Sequence, residues 1–208
     1  MSIYEPLEEG THPFYGLKWK VVQDLDVDLE HFKDFDIIAT KGTGKYLQPD
    51  TTCDSMDEFQ AELDSGKYAH SQPLYMLAHG QVRLSLGKFG DPWDSGQCGF
   101  AAIKKEDADN LGLKPEEYES FLNSAVKTYD SAANGNVVGY VIWREKVCPT
   151  CEHKEEEVLD SCWGFVLDWG WGSMDSFVKE NILPQLNYFT DKFGEAEHAA
   201  KAGVKSDD

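Results

Sequence analysis

The sequence has no long hydrophobic run and no basic N-terminal leader. No apolar stretch approaches the roughly 20 residues that a membrane-spanning helix needs. The first ten residues, M-S-I-Y-E-P-L-E-E-G, are acidic where a secretory signal peptide is basic, so they predict no signal peptide. These absences argue against a membrane protein and predict a cytoplasmic one.

The usual marks of a secreted protein are also missing. The chain has five cysteines, an odd number at irregular spacing, and no N-x-S/T glycosylation sequence. Secreted domains of small size usually carry an even number of cysteines paired as disulfides. The sequence therefore predicts reduced thiols.

Basic residues are scarce. The chain has 19 Lys and Arg against 38 Asp and Glu, which gives a formal net charge of -19. A field of this sign repels nucleic acid and acidic lipid headgroups unless a local basic site or a metal intervenes. We therefore expect neither direct nucleic-acid binding nor binding to a membrane surface.

Histidine pairs at metal-ligand spacing are absent too. The chain has six histidines, and no two of them stand at the helical or strand spacing that a metal or a catalytic pair would use. This weakens every hydrolase interpretation, and it favours a protein that is not an enzyme.

The composition is that of a folded protein, with 41% hydrophobic and 12% aromatic residues. A chain of 208 residues can bury one sizeable core, and the sequence shows no internal repeat. We expect a single compact domain over residues 1–194 and a frayed tail over residues 195–208, where Ala, Lys and Asp dominate.

Hydrophobic periodicity predicts where the strands and helices lie along the chain. Alternation predicts strands at Gly16–Val22, Ile37–Thr40 and Pro73–Leu86. The last is either two strands broken at His79 and Gly80 or one strand with a bulge. Val137–Val147 and Glu157–Trp169 are predicted to pair as a hairpin. Helices are predicted at Ser55–Leu63, Lys104–Ala133 and Met174–Phe193, the last kinked by Pro184. Strands without regular alternation with helices indicate an α+β fold with a mainly antiparallel sheet and about three helices.

The segment Lys88–Ile103, K-F-G-D-P-W-D-S-G-Q-C-G-F-A-A-I, is unusually rich in turn residues. Its candidate functional residues are Asp91, Trp93, Asp94 and Gln97. Carboxylates three apart beside a serine and a cysteine could hold a metal or act as acid and base. The same carboxylates could instead cap a turn by accepting backbone amides, with Asp94 as the expected cap.

A Cys-x-x-Cys pair lies at the tip of the predicted hairpin. Cys148 and Cys151, with His153 two residues on, have the spacing of a zinc knuckle. A closed zinc site needs four ligands and the sequence has one such pair, so His153, Cys162 or the same pair from a second copy of the chain would have to complete it. The last of these alternatives would make a homodimer. The alternatives are a free dithiol and no cofactor at all. Cys162, beside Trp163 in D-S-C-W-G-F, is predicted to be a buried strand cysteine next to a core tryptophan.

Acidic residues also recur in separate stretches. Duplex DNA presents roughly one negative charge per 1.7 Å of axis, so carboxylates along one face can occupy a site that grips phosphates. The alternative is that the acids merely keep the protein soluble. The candidate partner-binding residues are Asp24, Asp26, Asp28, Glu30, Asp34, Asp36, Asp54, Asp57 and Glu58.

Several motifs together resemble a set of small proteins of bacteriophages and mobile elements. The motifs are P-W-D-S-G-Q-C-G-F at Pro92–Phe100, Tyr129 with Asp130, V-G-Y-V-I at Val138–Ile142 and D-S-C-W-G-F at Asp160–Phe165. The resemblance covers about the middle third to half of the chain and implies no catalytic residue. Cys98 replaces a small aliphatic residue expected there, and the C-P-T-C knuckle is an insertion.

Accessory genes of such elements often encode inhibitors of host restriction or CRISPR systems, so the resemblance implies a role of that kind. Together with the charge, it predicts an acidic, DNA-mimicking inhibitor whose partner is a host nucleic-acid-binding protein or nuclease complex. The competing hypothesis is a metal-assisted enzyme with its site in the loop Asp91–Cys98.

Overall fold

The computed structural model describes residues 5–40, 47–148, 150–167 and 172–203. The segment K-G-T-G-K-Y at Lys41–Tyr46, for which the sequence predicts a turn, lies outside these ranges. Contacts divide the chain into two compact units, one of Met1–Val27 with Gly135–Asp208 and one of Asp28–Asn134. Each unit has its own sheet and its own hydrophobic core, and we call them the outer-segment unit and the central unit.

The central unit contains a five-stranded sheet in the order β4-β3-β7-β5-β6. All pairings in this sheet are antiparallel except the parallel pair of β3 and β4. The strands are β3 (Asp36–Thr40), β4 (Thr51–Cys53), β5 (Tyr68–His79), β6 (Gln81–Ser85) and β7 (Ser95–Lys104).

Strand β7 lies in the middle of this sheet because both of its faces are apolar. Ala101, Ala102 and Ile103 are consecutive and fully buried, which is the pattern of a strand covered on both sides. Gly99 allows β7 to approach β3 closely: a Cβ atom there would lie 2.1 Å from the carbonyl oxygen of Ile38. The apolar run Gly99–Ile103, which the sequence predicts as a strand after the central loop, is thus confirmed as part of β7, and the strand begins earlier, at Ser95.

The helices of the central unit are α1 (Met56–Leu63), α2 (Lys105–Asn110) and α3 (Tyr118–Ala133). Ser55 caps α1, since its side chain accepts the amide of Glu58. Helix α3 packs a stripe of apolar residues against the core, and the stripe includes Leu122, Val126 and Tyr129. The predicted helix Lys104–Ala133 is therefore two helices, separated where Gly112 takes a positive φ of 65°.

The outer-segment unit contains a four-stranded antiparallel sheet in the order β1-β2-β8-β9. Its strands are β1 (Glu8–Thr11), β2 (Leu17–Gln23), β8 (Val137–Val147) and β9 (Lys154–Val166). Leu17 and Val21 lie four residues apart on the same face of β2, and both are fully buried, as the alternation predicted. The predicted hairpin of β8 and β9 is confirmed.

One helical segment packs on this sheet. It runs through α4 (Gly172–Phe177), a π-helical turn (Val178–Ile182) and α5 (Leu183–Gly203). Ile182 and Leu186 are fully buried against the strands. Pro184 has no N–H to donate, and the widened turn stands directly before it, where the sequence predicted a kink. The helix continues to Gly203, beyond Glu195 where fraying was expected.

The α+β class and the mainly antiparallel pairing predicted from the sequence are both confirmed. No helix in the described part of the chain is long and apolar enough to cross a membrane.

Candidate functional site

The nine predicted partner-binding acids fall on both units. Asp24 and Asp26 belong to the outer-segment unit, and the other seven belong to the central unit. Most of the nine are exposed, Asp24 is half-buried, and Asp36 is buried. The exposed members are Asp26, Asp28, Glu30, Asp34, Asp54, Asp57 and Glu58.

A short 3-10 turn, Leu29–Phe32, presents the first acids of the central unit. Asp28 caps this turn, because its carboxylate accepts the amide of Glu30 at 3.1 Å. The alternating apolar and acidic residues of this region thus form an irregular solvated segment and not a continuous strand.

Lys33 lies beneath these acids. Its side chain is only 4% exposed, and its Nζ lies 3.2 Å from Glu30 and 3.0 Å from Asp50. Burial lowers the pKa of Lys33, but hydrogen bonds and charge interactions with Asp50 and Glu30 outweigh it, so the pKa is above its ordinary value. Lys33 is the only lysine or arginine between Asp24 and Asp36, and it therefore pairs with carboxylates of its own unit.

Asp36 occupies the same interior. Its residue is 6% exposed, and its carboxylate lies 2.7 Å from Lys104 Nζ and 3.7 Å from Lys67 Nζ. The hydrogen bond from Lys104 raises the pKa of that lysine. Asp36 is thus a buried carboxylate at the start of β3 that pairs with two partly exposed lysines, and little of it is accessible to a partner.

These charges surround a pocket of about 410 Å³ in the central unit. Five carboxylates and two ammonium groups line it, so its potential is negative. The lining residues are Glu30, Lys33, Asp34, Phe35, Asp36, Asp50, Lys104, Asp107, Asn110 and Leu111. We call this site the acidic pocket.

The central loop is organised by Asp91. Its Oδ1 accepts the amides of Trp93 at 2.8 Å and Asp94 at 3.2 Å. These two amides lower the pKa of Asp91, the first by the larger amount. This is the turn-capping arrangement, made by Asp91 and not by the expected Asp94.

Asp94 instead links the central loop to the end of strand β5. Its Oδ2 lies 2.5 Å from Nδ1 of His79, the last residue of β5, and its carbonyl accepts the amide of Ala78 at 2.9 Å. The hydrogen bond that the His79 ring donates to the Asp94 carboxylate raises the pKa of His79. Both loop carboxylates therefore have structural partners.

The other candidate residues of the central loop do not form a nucleophilic site. Gln97 lies on β7 and donates to the carbonyl of Gly99 at 3.3 Å. Cys98 is buried on the same strand, and burial raises its pKa to about 11, the reverse of what a reactive cysteine needs. Trp93 extends from the turn with 91% of its surface exposed.

The cysteine pair lies at the tip of the β8–β9 hairpin. Cys148 donates its amide to the carbonyl of His153 at 2.8 Å, and Glu152 donates to the carbonyl of Cys148 at 2.9 Å. Amides of Thr150 and Cys151 hydrogen-bond the Cys148 sulfur and lower its pKa. Among the described residues, no three His, Cys, Asp or Glu side chains are grouped closely enough to hold a metal.

The prediction for Cys162 is wrong. Cys162 is exposed on β9, and Trp163 is 48% exposed. The reason is a bulge: the pairing shifts between Val138 and Tyr140, and the Trp163 ring lies over Gly139, where a Cβ would be 2.2 Å away. The bulge places the tryptophan on the sheet surface and not in the core.

Sequence reasoning did not find the role of Asp130. Its residue is 5% exposed, and its carboxylate accepts Nε of Arg83 at 2.8 Å and the amide of Leu84 at 2.7 Å. It also lines a pocket of about 540 Å³ between α3 and β6. The sequence signal that could have predicted the burial of Asp130 was its spacing, because Asp130 falls four residues after Val126 on the apolar stripe of α3.

Comparison with known proteins returns no match: no family model fits the chain, and no curated protein and no solved structure is significantly similar to it.

Proposed function

We propose that this chain is a non-enzymatic accessory protein of a phage or mobile element. It binds the nucleic-acid site of a host defence nuclease through its carboxylates. Its partner is a basic, nucleic-acid-binding protein, and the contact occurs mainly at the acidic pocket.

The arrangement of the lysines around the acidic pocket is the observation that carries this proposal. The buried Lys33 pairs with Asp50 at 3.0 Å, and the partly exposed Lys104 pairs with Asp36 at 2.7 Å. Exposed Asp34 and Asp107 line the same pocket and form no salt bridge with a lysine or arginine among the described residues, although the charge of Asp107 contributes to the raised pKa of Lys104. An acid that only maintains solubility needs no such separation, whereas a surface that engages basic side chains requires carboxylates free of internal cations.

The resemblance supports the biological setting of the proposal. The motif at Pro92–Phe100 forms the Asp91-capped turn and the first half of β7, and the motif at Asp160–Phe165 forms the bulged part of β9. Both motifs therefore lie in structural parts of the fold. This is expected of a family that keeps its fold and binds its partners through its surface.

The test uses two variants with the same net charge. Asp34→Asn with Asp107→Asn neutralises the acidic pocket, and Glu116→Gln with Glu119→Gln neutralises two exposed acids elsewhere in the central unit. Each immobilised protein is incubated with extract of candidate host cells, and retained proteins are identified by mass spectrometry.

The wild type and the Glu116/Glu119 variant are expected to retain the same nucleic-acid-binding protein, and the Asp34/Asp107 variant to bind it about tenfold more weakly. Duplex DNA should release it. Equal retention by the two variants, or retention that duplex DNA leaves unchanged, contradicts the proposal.

The loop provides the control against the enzyme hypothesis. Asp94→Ala with Gln97→Ala removes the loop side chains that an enzyme would need. Because Asp94 is engaged with His79 and Gln97 with Gly99, we expect partner binding to be unchanged. Loss of a measured turnover in this variant would instead support the enzyme.

A further inference from the structure

The end of helix α3 and strand β6 border a pocket of about 540 Å³ in the central unit. Pockets of this volume are typical of small-molecule sites, which combine apolar walls with a few polar groups. The lining comes from several parts of the chain, namely the 3-10 turn, the segment before β4, strand β6 and the end of α3. We call this site the α3 pocket.

The apolar part of the α3 pocket is formed by three leucines and a valine. Leu47 and Leu84 are 4% and 6% exposed, and Leu29 and Val82 are half-buried. Walls of this kind favour the flat or hydrocarbon part of a ligand, because the contact removes apolar surface of both partners from water.

Tyr129 contributes a hydroxyl group that the described part of the chain does not use. The residue is 4% exposed, and its ring packs edge-on against Phe35 with the ring centroids 5.8 Å apart. Its hydroxyl has no hydrogen-bond partner among the described residues, and its oxygen is not sealed from solvent. Nearly all buried polar groups in proteins have a partner, so this hydroxyl is available to a bound molecule.

Asn134 has a fixed orientation that leaves an acceptor available. Its Nδ2 donates to the carbonyl of Val82 at 2.9 Å and to the carbonyl of Asp130 at 2.7 Å. Both amide hydrogens are thus used, and Oδ1 has no partner in the described part of the chain. Asp130 adds a carboxylate, which Arg83 and the amide of Leu84 hold in place. The α3 pocket therefore offers one hydroxyl and two kinds of fixed acceptor.

The charge of the α3 pocket favours an uncharged ligand. No lysine, arginine or histidine is among its described lining residues, and Asp130 is the one ionised group among them. That carboxylate already pairs with Arg83, whose Nε lies 2.8 Å away. A phosphate or carboxylate ligand would lie beside Asp130 with no cation of the described lining to balance it.

The polar groups of the α3 pocket match the edge of a nucleobase that has an amino group. Side-chain amides and carboxylates recognise adenine and cytosine through their amino groups, which donate hydrogen bonds. Gln48 and Gln81, both exposed, add two further side-chain amides to the lining. The apolar face of a planar base suits the leucines of the same pocket.

We propose that the α3 pocket binds an uncharged nucleoside whose base has an exocyclic amino group. The amino group donates to the acceptors of Asn134 and Asp130, and the Tyr129 hydroxyl bonds the ring of the base. This inference goes beyond the proposed function and does not depend on it, because neither Asp34 nor Asp107 lines the α3 pocket.

The experiment is isothermal titration calorimetry of the full chain with adenosine, paired with amide NMR spectra. Adenosine is expected to bind at one saturable site and to shift the backbone amides of Leu84 and Asn134. Inosine, which has a carbonyl oxygen in place of the amino group, should bind about tenfold more weakly, because the acceptors of the pocket would face another acceptor. Adenosine monophosphate should also bind more weakly than adenosine, because its phosphate is negatively charged.

Tyr129→Phe separates a binding role from a structural one. Because the hydroxyl makes no hydrogen bond within the described chain, its removal should leave the urea midpoint unchanged or raised, while adenosine binds about tenfold more weakly. The control is Tyr118→Phe, on the same helix and outside the pocket, which should leave the affinity for adenosine unchanged.

Ala133→Leu tests the cavity without removing a polar group. Ala133 is exposed and lines the α3 pocket, so a larger side chain there should fill part of it and abolish adenosine binding. Far-UV circular dichroism checks that each variant remains folded.

Three results overturn the inference. The first is a wild type with no saturable binding of adenosine. The second is equal affinity for adenosine and inosine, and the third is an affinity that Tyr129→Phe leaves unchanged. Asp34→Asn with Asp107→Asn should retain adenosine binding, so a failure of this inference and a failure of the proposed function are seen separately.

Discussion

At the scale of single residues, Asp130 has the most consequential position. It is a buried carboxylate that bonds the side chain of Arg83 and the backbone of Leu84, and so joins α3 to β6. Asn134 adds a second link, since its Nδ2 donates to the carbonyl of Val82 at 2.9 Å. These bonds satisfy the backbone of an edge strand that would otherwise present it to solvent.

We expect Asp130→Ala to lower the free energy of unfolding by about 3 kcal/mol, because it leaves a buried amide unsatisfied and removes the partner of Arg83. Urea denaturation measures this. The control is Asp109→Ala, an exposed acid of α2 that should change the value by less than about 0.5 kcal/mol. Equal midpoints for the two variants would show that the Asp130 bonds contribute nothing.

The pair of His79 and Asp94 predicts a pH dependence. The pKa of His79 is raised above its ordinary value by the hydrogen bond that its ring donates to the Asp94 carboxylate. A raised pKa in the folded state means that the stabilisation is complete below the unfolded value of about 6.5 and is lost as pH rises through the folded value.

NMR titration of the His79 ring tests this directly. The pKa should lie above 6.5 in the wild type, return toward it in Asp94→Asn and stay raised in Asp109→Asn. The difference in melting temperature between the wild type and Asp94→Asn should be larger at pH 6 than at pH 9. A His79 pKa that is the same in Asp94→Asn refutes the assignment.

At the scale of elements, the contact of β3 with β7 depends on one glycine. The pairing places Ala39 opposite Gly99, and the Ile38 carbonyl occupies the space that a side chain of residue 99 would need. A clash with backbone cannot be relieved by a rotamer change, so the two strands would have to separate.

Gly99→Ala should therefore destabilise the protein by about 3 kcal/mol or more. Gly96, on the same strand, has no atom within 4 Å of an added Cβ, and Gly96→Ala should be neutral or stabilising by about 0.5 kcal/mol. Thermal unfolding of both variants provides the comparison. Tolerance of Ala at position 99 would contradict the close approach of these strands.

The elements differ in how far the sequence could predict them. Leu17, Trp19 and Val21 alternate, and Ser55 precedes an amphipathic helix, so strand β2 and helix α1 followed from local pattern. The bulge that exposes Cys162 and Trp163 did not, because it depends on how β9 pairs with Gly139 of β8. Pairing register is a tertiary property, and a single apolar run does not encode it.

At the scale of the whole molecule, the net charge was evident from composition, but the arrangement of the charge was not. The sequence placed Asp36 among the candidate binding acids and gave no indication that Lys33 and Lys104 pair with carboxylates of the acidic pocket. Long-range ion pairs such as that of Lys104 and Asp36 need the fold to bring β3 and β7 together. The acidic pocket, with Asp107 on its rim, could therefore be identified only from the structure.

The central claim is that this chain competes with nucleic acid for one site on its partner. The direct measurement is fluorescence anisotropy of a labelled DNA duplex bound to the purified partner, titrated with this protein at low and high salt. We predict that the protein displaces the duplex at near-stoichiometric amounts at low salt and much less effectively at high salt, because the contact is between opposite charges. A duplex that remains bound while the protein joins it in a ternary complex would contradict the account.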